Sequence, residues 1–120
     1  MAFLGQELFV HDGINERIRV FSISGEHLRD ITGDWDTLSH LLAYNGRLFL
    51  AEEANPAIFV LTPDGQTLEN YSVRAEDGTP AHYITDVHIM GTKLIVSYQM
   101  DTAAPSDNLR IWGFLTLKGL

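Results

Sequence analysis

Three observations predict an all-β chain of repeated antiparallel meanders. The first is internal self-similarity: residues 5–34 match residues 45–74 at a constant offset of 40, without gaps. Seven of the thirty positions are identical, namely Leu8/Leu48, Phe9/Phe49, Asn15/Asn55, Ile18/Ile58, Val20/Val60, Gly25/Gly65 and Leu28/Leu68. They fall on the apolar and glycine positions of one pattern. The second is periodicity: short β-prone runs such as LFV, LFL, RIRVFS and AIFVLT alternate with polar loops, and no 3.6-residue apolar period persists for twelve residues. The third is punctuation. Asn45-Gly46 is a preferred two-residue hairpin turn, because both positions tolerate positive φ. Pro63-Asp64-Gly65 reads as a type I turn closed by a left-handed glycine, with Ser24-Gly25 in its place one repeat earlier.

These signals set the elements in order. Ala2–Leu4 is a stub of a first strand, and the runs around LFV and RIRVFS continue that unit. Ser39–Tyr44, Arg47–Glu52, Ala57–Thr62 and Thr67–Val73 form the four strands a, b, c and d of the second unit. A third, more divergent copy offers Tyr83–Met90, Lys93–Gln99 and Leu109–Leu117 as a, b and c, and its b–c loop, MDTAAPSDN, is longer than the others. The chain thus reads as one domain over 1–120, with units at about 2–34, 37–74 and 82–120. That is about 2.75 units, the third lacking its last strand.

A four-stranded unit of about forty residues is the size of a β-propeller blade. The copy FVHDGINERIRVFSISGEHL resembles the NHL-type propeller repeat: a strand, Asp, a short loop, Asn-x-Arg-Ile, Val-Phe, a turn and Gly. Asp12, Asn15, Arg17, Ile18, Val20, Phe21 and Gly25 fill those places. The second copy keeps Asn55, Ile58, Val60 and Gly65 but has Glu52 for Asp and Ala57 for Arg. The third keeps Asn108, Leu109, Ile111 and Trp112 in a similar arrangement. The resemblance implies a fold and no particular activity, since related propellers include scaffolds, ligand binders and some metal-dependent hydrolases and lyases.

Propellers close with four to eight blades, so even the smallest needs roughly 160 residues. One chain of 120 residues falls short. A blade buries both faces only when neighbours cover them. The expectation is therefore a homodimer in which two chains form one six-bladed ring; capture in a larger complex, or descent from a longer chain, are the alternatives. The N-terminal stub of one chain is expected to help complete the last blade of the other.

Composition narrows the partners. Hydrophobic residues make up 45% and charged residues 20%, the proportions of a packed globular protein. Eight basic against sixteen acidic side chains give a net charge of −8, which disfavours nucleic acid and anionic membrane surfaces. The absence of cysteine excludes disulfides, thiolate metal sites and cysteine nucleophiles. MAFLGQELF lacks the basic and long apolar regions of a signal peptide, and no apolar run approaches a membrane span, so a soluble, cytoplasmic protein is expected.

No catalytic motif stands out, so a non-enzymatic binding or scaffold module without a cofactor is the leading expectation. The sharpest constellation is His40, Asp86 and His88. His40 and Asp86 lie 46 residues apart, the offset that also relates Leu48 to Leu94, so they occupy equivalent points on strand a of successive blades. Strand a lines a propeller's channel, where three such ligands would suit a divalent metal. Hydrogen-bonded blade packing is the plainer account, favoured because Leu42 stands where a second-repeat His88 would be. The b–c loops place Asp12, Asn15, Glu16, Glu52, Glu53, Asn55, Asp101, Ser106 and Asp107 on one rim. That rim suits a basic protein partner, or else is turn chemistry and solubility. Arg17, Arg19, Arg29 and His27 read as ion pairs with Glu7, Glu16, Glu26 and Asp30. Trp35, Tyr44, Tyr71, Tyr83, Tyr98 and Trp112 would suit a glycan-binding lectin, but they do not recur at the repeat offset and fit core packing better.

Overall fold

A computed structural model describes residues 1–53, 56–74, 81, 83–91, 93–99 and 112–116, with residues 83, 99 and 112–116 as backbone. Eleven strands form three sheets among these residues. The first contains β1 (Ala2–Leu4), β2 (Glu7–Asp12), β3 (Arg17–Ser22) and β4 (His27–Thr32); the second, β5 (Leu38–Tyr44), β6 (Arg47–Glu52), β7 (Ala57–Leu61) and β8 (Thr67–Ser72). The third contains β9 (Tyr83–Met90), β10 (Lys93–Gln99) and β11 (Trp112–Thr116). Every pairing is antiparallel and joins neighbours in sequence, as in a meander. The strand boundaries sit within three residues of those predicted. No fourth strand stands in the third sheet among the described residues.

The turns form for the reasons anticipated. Asn45 and Gly46 have φ of 51° and 75°, the positive pair that a tight hairpin requires. Gly25 and Gly65 have φ of 91° and 98° at matched places, and each donates its N–H back to the turn's first residue, Ser22 or Thr62. A bulge follows in both copies, between Val20 and Phe21 and between Val60 and Leu61.

Period-two alternation divides the second sheet's side chains between two cores. Leu48, Leu50 and Leu61 meet Phe9, Ile18, Val20 and Ile31 of the first sheet, with Trp35 of the linker and Leu38 at the start of β5 closing that layer. Phe49, Ala51, Ile58 and Val60 turn the other way, onto Ile84, Val87, Leu94 and Val96 of the third sheet. A middle sheet with both faces covered is what the repeat requires. Across the first junction, Arg29 donates to Glu7 and to the carbonyl of Pro63 in the second sheet's turn. There a Cβ on Gly65 would stand 2.8 Å from the Ile31 side chain, so only glycine fits.

The first sheet repeats these residues on a face with no neighbour among the described residues. Leu8, Val10 and Phe21 are the equivalents of Leu48, Leu50 and Leu61; the latter three are all 0% exposed, whereas the former are only half-buried. Likewise a Cβ on Gly25 meets nothing within 4 Å. One expectation is corrected here. Ala2–Leu4 pairs with Glu7–Phe9 of its own chain as the innermost strand of its own sheet. It is thus engaged in cis, and the third sheet has no fourth strand among the described residues.

Candidate functional site

The first strands of the three sheets, β1, β5 and β9, stand side by side, which brings side chains from three repeats to one place. His40 on β5 and Asp86 on β9 face each other with 4.0 Å between Nε2 and Oδ1. Asp86 accepts the Val87 N–H on Oδ1 at 2.8 Å, and its Oδ2 lies 2.9 Å from His88 Nε2. The Val87 N–H, and after it the His88 imidazole, hold the Asp86 carboxyl below its usual range. His40 Nδ1 lies 3.0 Å from the Ser39 hydroxyl. The three predicted residues therefore do come together: His88 is hydrogen-bonded to Asp86 within the third sheet, and His40 of the second sheet makes a longer ion-pair contact with the same carboxylate. Among the described residues, no group of three or more His, Asp or Glu side chains is spaced to hold a metal ion.

A fourth residue belongs to this neighbourhood and is not among the sequence candidates. His11, near the end of β2, pairs with Ile18 and shares the face of Phe9, which packs on the second sheet. Its Nδ1 is buried without a hydrogen-bond partner among the described residues. Burial first, then the Met1 α-amino group and His40, push the His11 imidazole below its ordinary pKa, against weaker opposition from Glu16 and Asp12. No repeat partner marks it: the equivalent position is Ala51.

The loop residues predicted to form an acidic docking rim are largely engaged within the protein. Asp12 accepts the N–H groups of Ile14 and Asn15, the Asn15 side-chain amide and Arg17 Nε. The places filled by the repeat motif thus form one hydrogen-bonded turn. The hydrogen bonds from Asn15 first, and then from Arg17 and the Ile14 N–H, lower the Asp12 pKa against the opposing effect of burial. Glu16, held at φ of 51°, accepts the Leu38 N–H at 3.0 Å. Glu52 accepts the Asp36 N–H at 3.0 Å and is 5% exposed. Its assignment to a partner-facing rim is corrected: it is a buried acceptor for the linker between the first and second sheets. Glu53 keeps a partly exposed side chain, while Asn55, Asp101, Ser106 and Asp107 lie outside the described residues. Removing the buried carboxylate leaves the Asp36 N–H without its acceptor. Glu52→Ala is therefore expected to lower unfolding free energy by ~2 kcal/mol in urea titration, against no more than ~0.5 kcal/mol for Glu53→Ala.

The basic residues pair as expected in kind, though with partly different acids. Arg17 and Arg19 converge on Asp30, Arg17 also reaches Asp12, and His27 Nε2 lies 2.7 Å from Asp30. Arg29 joins Glu7 at 2.7 Å, while Glu16 instead serves the linker. Of the aromatic candidates, Trp35 and Tyr98 are core residues, Tyr71 is half-buried beside Glu69, and Tyr44 is exposed. The Tyr83 and Trp112 side chains lie outside the description.

No family model and no curated protein matches this sequence. Among solved structures, the crystal structure of BamB from Moraxella catarrhalis, a β-propeller protein, matches with a TM-score of 0.62. The match covers 99% of this chain and 32% of that one, at 13% identity. This chain has a β-propeller-like fold. Its three sheets take the place of blades, and it spans about a third of the propeller chain it matches.

Proposed function

We propose that this chain is a non-enzymatic β-propeller module whose function is to assemble blade against blade into a ring, serving as a scaffold. One observation carries the reading. Leu8, Val10 and Phe21 repeat, on an open face, the residues that the second blade buries completely against its predecessor. On the opposite end, Ile95 and Ser97 take the register of Phe49 and Ala51, which the second blade turns toward its successor. Each terminal face is thus written for a neighbour, and a second copy supplies both in head-to-tail order. Within this reading the repeat is of NHL type, supported by the turn in which Asp12 joins Asn15 and Arg17.

Two copies supply nearly six blades, within the usual range for a closed ring, and two-fold closure is the commonest homo-oligomeric symmetry. Three copies would approach the length of the Moraxella propeller chain, so ring size is the variable to measure. Light scattering at micromolar concentrations is expected to give about twice the 13.4 kDa chain mass, with an unfolding midpoint that rises with concentration. A trimeric mass keeps the blades and rejects six as their number. A well-folded monomer with concentration-independent melting overturns assembly. A monomer that aggregates points to a missing remainder of a longer chain.

A second reading, a metal-dependent hydrolase or lyase, would rest on His40, Asp86 and His88, which lie together but are not spaced to hold an ion as they stand. Metal analysis of protein purified without immobilised nickel decides between them. Stoichiometric metal that disappears in His88→Ala would replace the scaffold by the enzyme.

A further inference from the structure

We propose that His11 is an acid-sensitive latch between the first and second blades: protonation of its imidazole loosens β1 and β2 from β5. The geometry rests on where the ring sits. His11 lies on the face of β2 that turns toward the second sheet, two residues from the fully buried Phe9 and opposite the fully buried Ile18. Its Nδ1 has no partner, so the neutral ring is best served by the tautomer that leaves a lone pair there. Adding a proton converts that lone pair into a buried N–H donor with no acceptor, a worse defect than an empty lone pair.

The groups that surround the ring relieve the charge only in part, Glu16 and Asp12 being outweighed by burial, the α-amino group and His40. From β1 comes the Met1 α-amino group and from β5 the His40 imidazole, both opposing a cation at His11. From its own strand comes Asp12, already holding its loop and Arg17, and from the loop beyond it Glu16, already accepting the Leu38 N–H. The carboxylate nearest His40, Asp86 on β9, stands between His40 and His88. Burial is the largest influence on His11 and acts whatever the state of the chain's amino group.

The direction of the pH effect follows from linkage. A histidine whose folded pKa lies below its unfolded value binds more protons when unfolded, so stability is full above the unfolded pKa, near 6.5. It is lost as pH falls through that value toward the lower folded one. Trp35 is a core residue of the same interblade layer and reports on it directly; replacing the other tryptophan, Trp112→Phe, isolates its emission.

In that background, lowering the pH from 7 to 5 is expected to lower the unfolding midpoint and to shift Trp35 emission reversibly to the red. His11→Phe is expected to abolish most of both changes, while His40→Gln keeps them. Equal pH responses with and without His11 overturn the latch. Should His11→Phe fail to fold, the proton NMR titration of the His11 ring in the native protein decides: a midpoint at or above 6.5 overturns the proposal, and one clearly below it supports it.

Discussion

Leu48→Asp, Ile58→Asp and Val60→Asp are each expected to leave no folded protein. All three sites lie on the central strands of the second blade, with exposures of 0%, 0% and 3%. They divide between its two faces. Leu48 packs on the first blade, whereas Ile58 and Val60 pack on the third. A carboxylate at any of them loses hydration and meets only apolar neighbours. Exposing an unpaired charge to such an interior costs several kcal/mol, and a typical domain holds only about 5–15 kcal/mol in total. The result is read as soluble yield and as the β signal in circular dichroism. Glu53→Ala serves as the control and should change stability by no more than ~0.5 kcal/mol. Equal loss of soluble protein in both groups would mean that strand and loop have been misassigned.

The legibility of these strands in the sequence has a physical origin. Two copies of one unit must solve the same packing problem, so Leu8/Leu48, Phe9/Phe49 and Val20/Val60 mark strand positions twice, and the turn glycines mark where each hairpin must reverse. The candidate site was less legible because its features arise between repeats rather than within one. Glu52 reads as a loop carboxylate by composition, yet the linker from the first blade to the second leaves the Asp36 N–H in need of an acceptor at that depth. His11 gives no repeat signal because Ala51 replaces it one blade later. His40, Asp86 and His88 were readable as a group because the 46-residue offset places His40 and Asp86 at matched points on neighbouring strands. Their linkage through Asp86 was not readable, since it rests on side-chain distances between two sheets that no spacing along the chain encodes.

Leu8→Asp combined with Phe21→Asp is expected to dissociate the assembly while leaving the blades folded. These two residues pair across β2 and β3, on the open face of the first blade. Inside one chain they are only half-buried, so aspartates there remain partly hydrated and leave both internal cores intact. In a ring the same face meets the third blade of another copy, and the new carboxylates lose their water against apolar surface. At ~3 kcal/mol for each seam, and with two seams in a two-chain ring, dissociation should be favoured by about ten-thousand-fold. The scattering mass should fall toward 13.4 kDa and the melting midpoint should cease to depend on concentration. The milder Val10→Thr should weaken association in the same direction with less risk to folding. The comparison with Leu48→Asp is the decisive one, because Leu8 and Leu48 are the same position of the repeat. One substitution acts on a face covered within the chain and must block folding. The other acts on a face left open among the described residues, and on the proposed assembly it acts on mass. An unchanged mass in the double variant would mean that this face is not a seam, and that the first blade ends the structure with its apolar residues exposed.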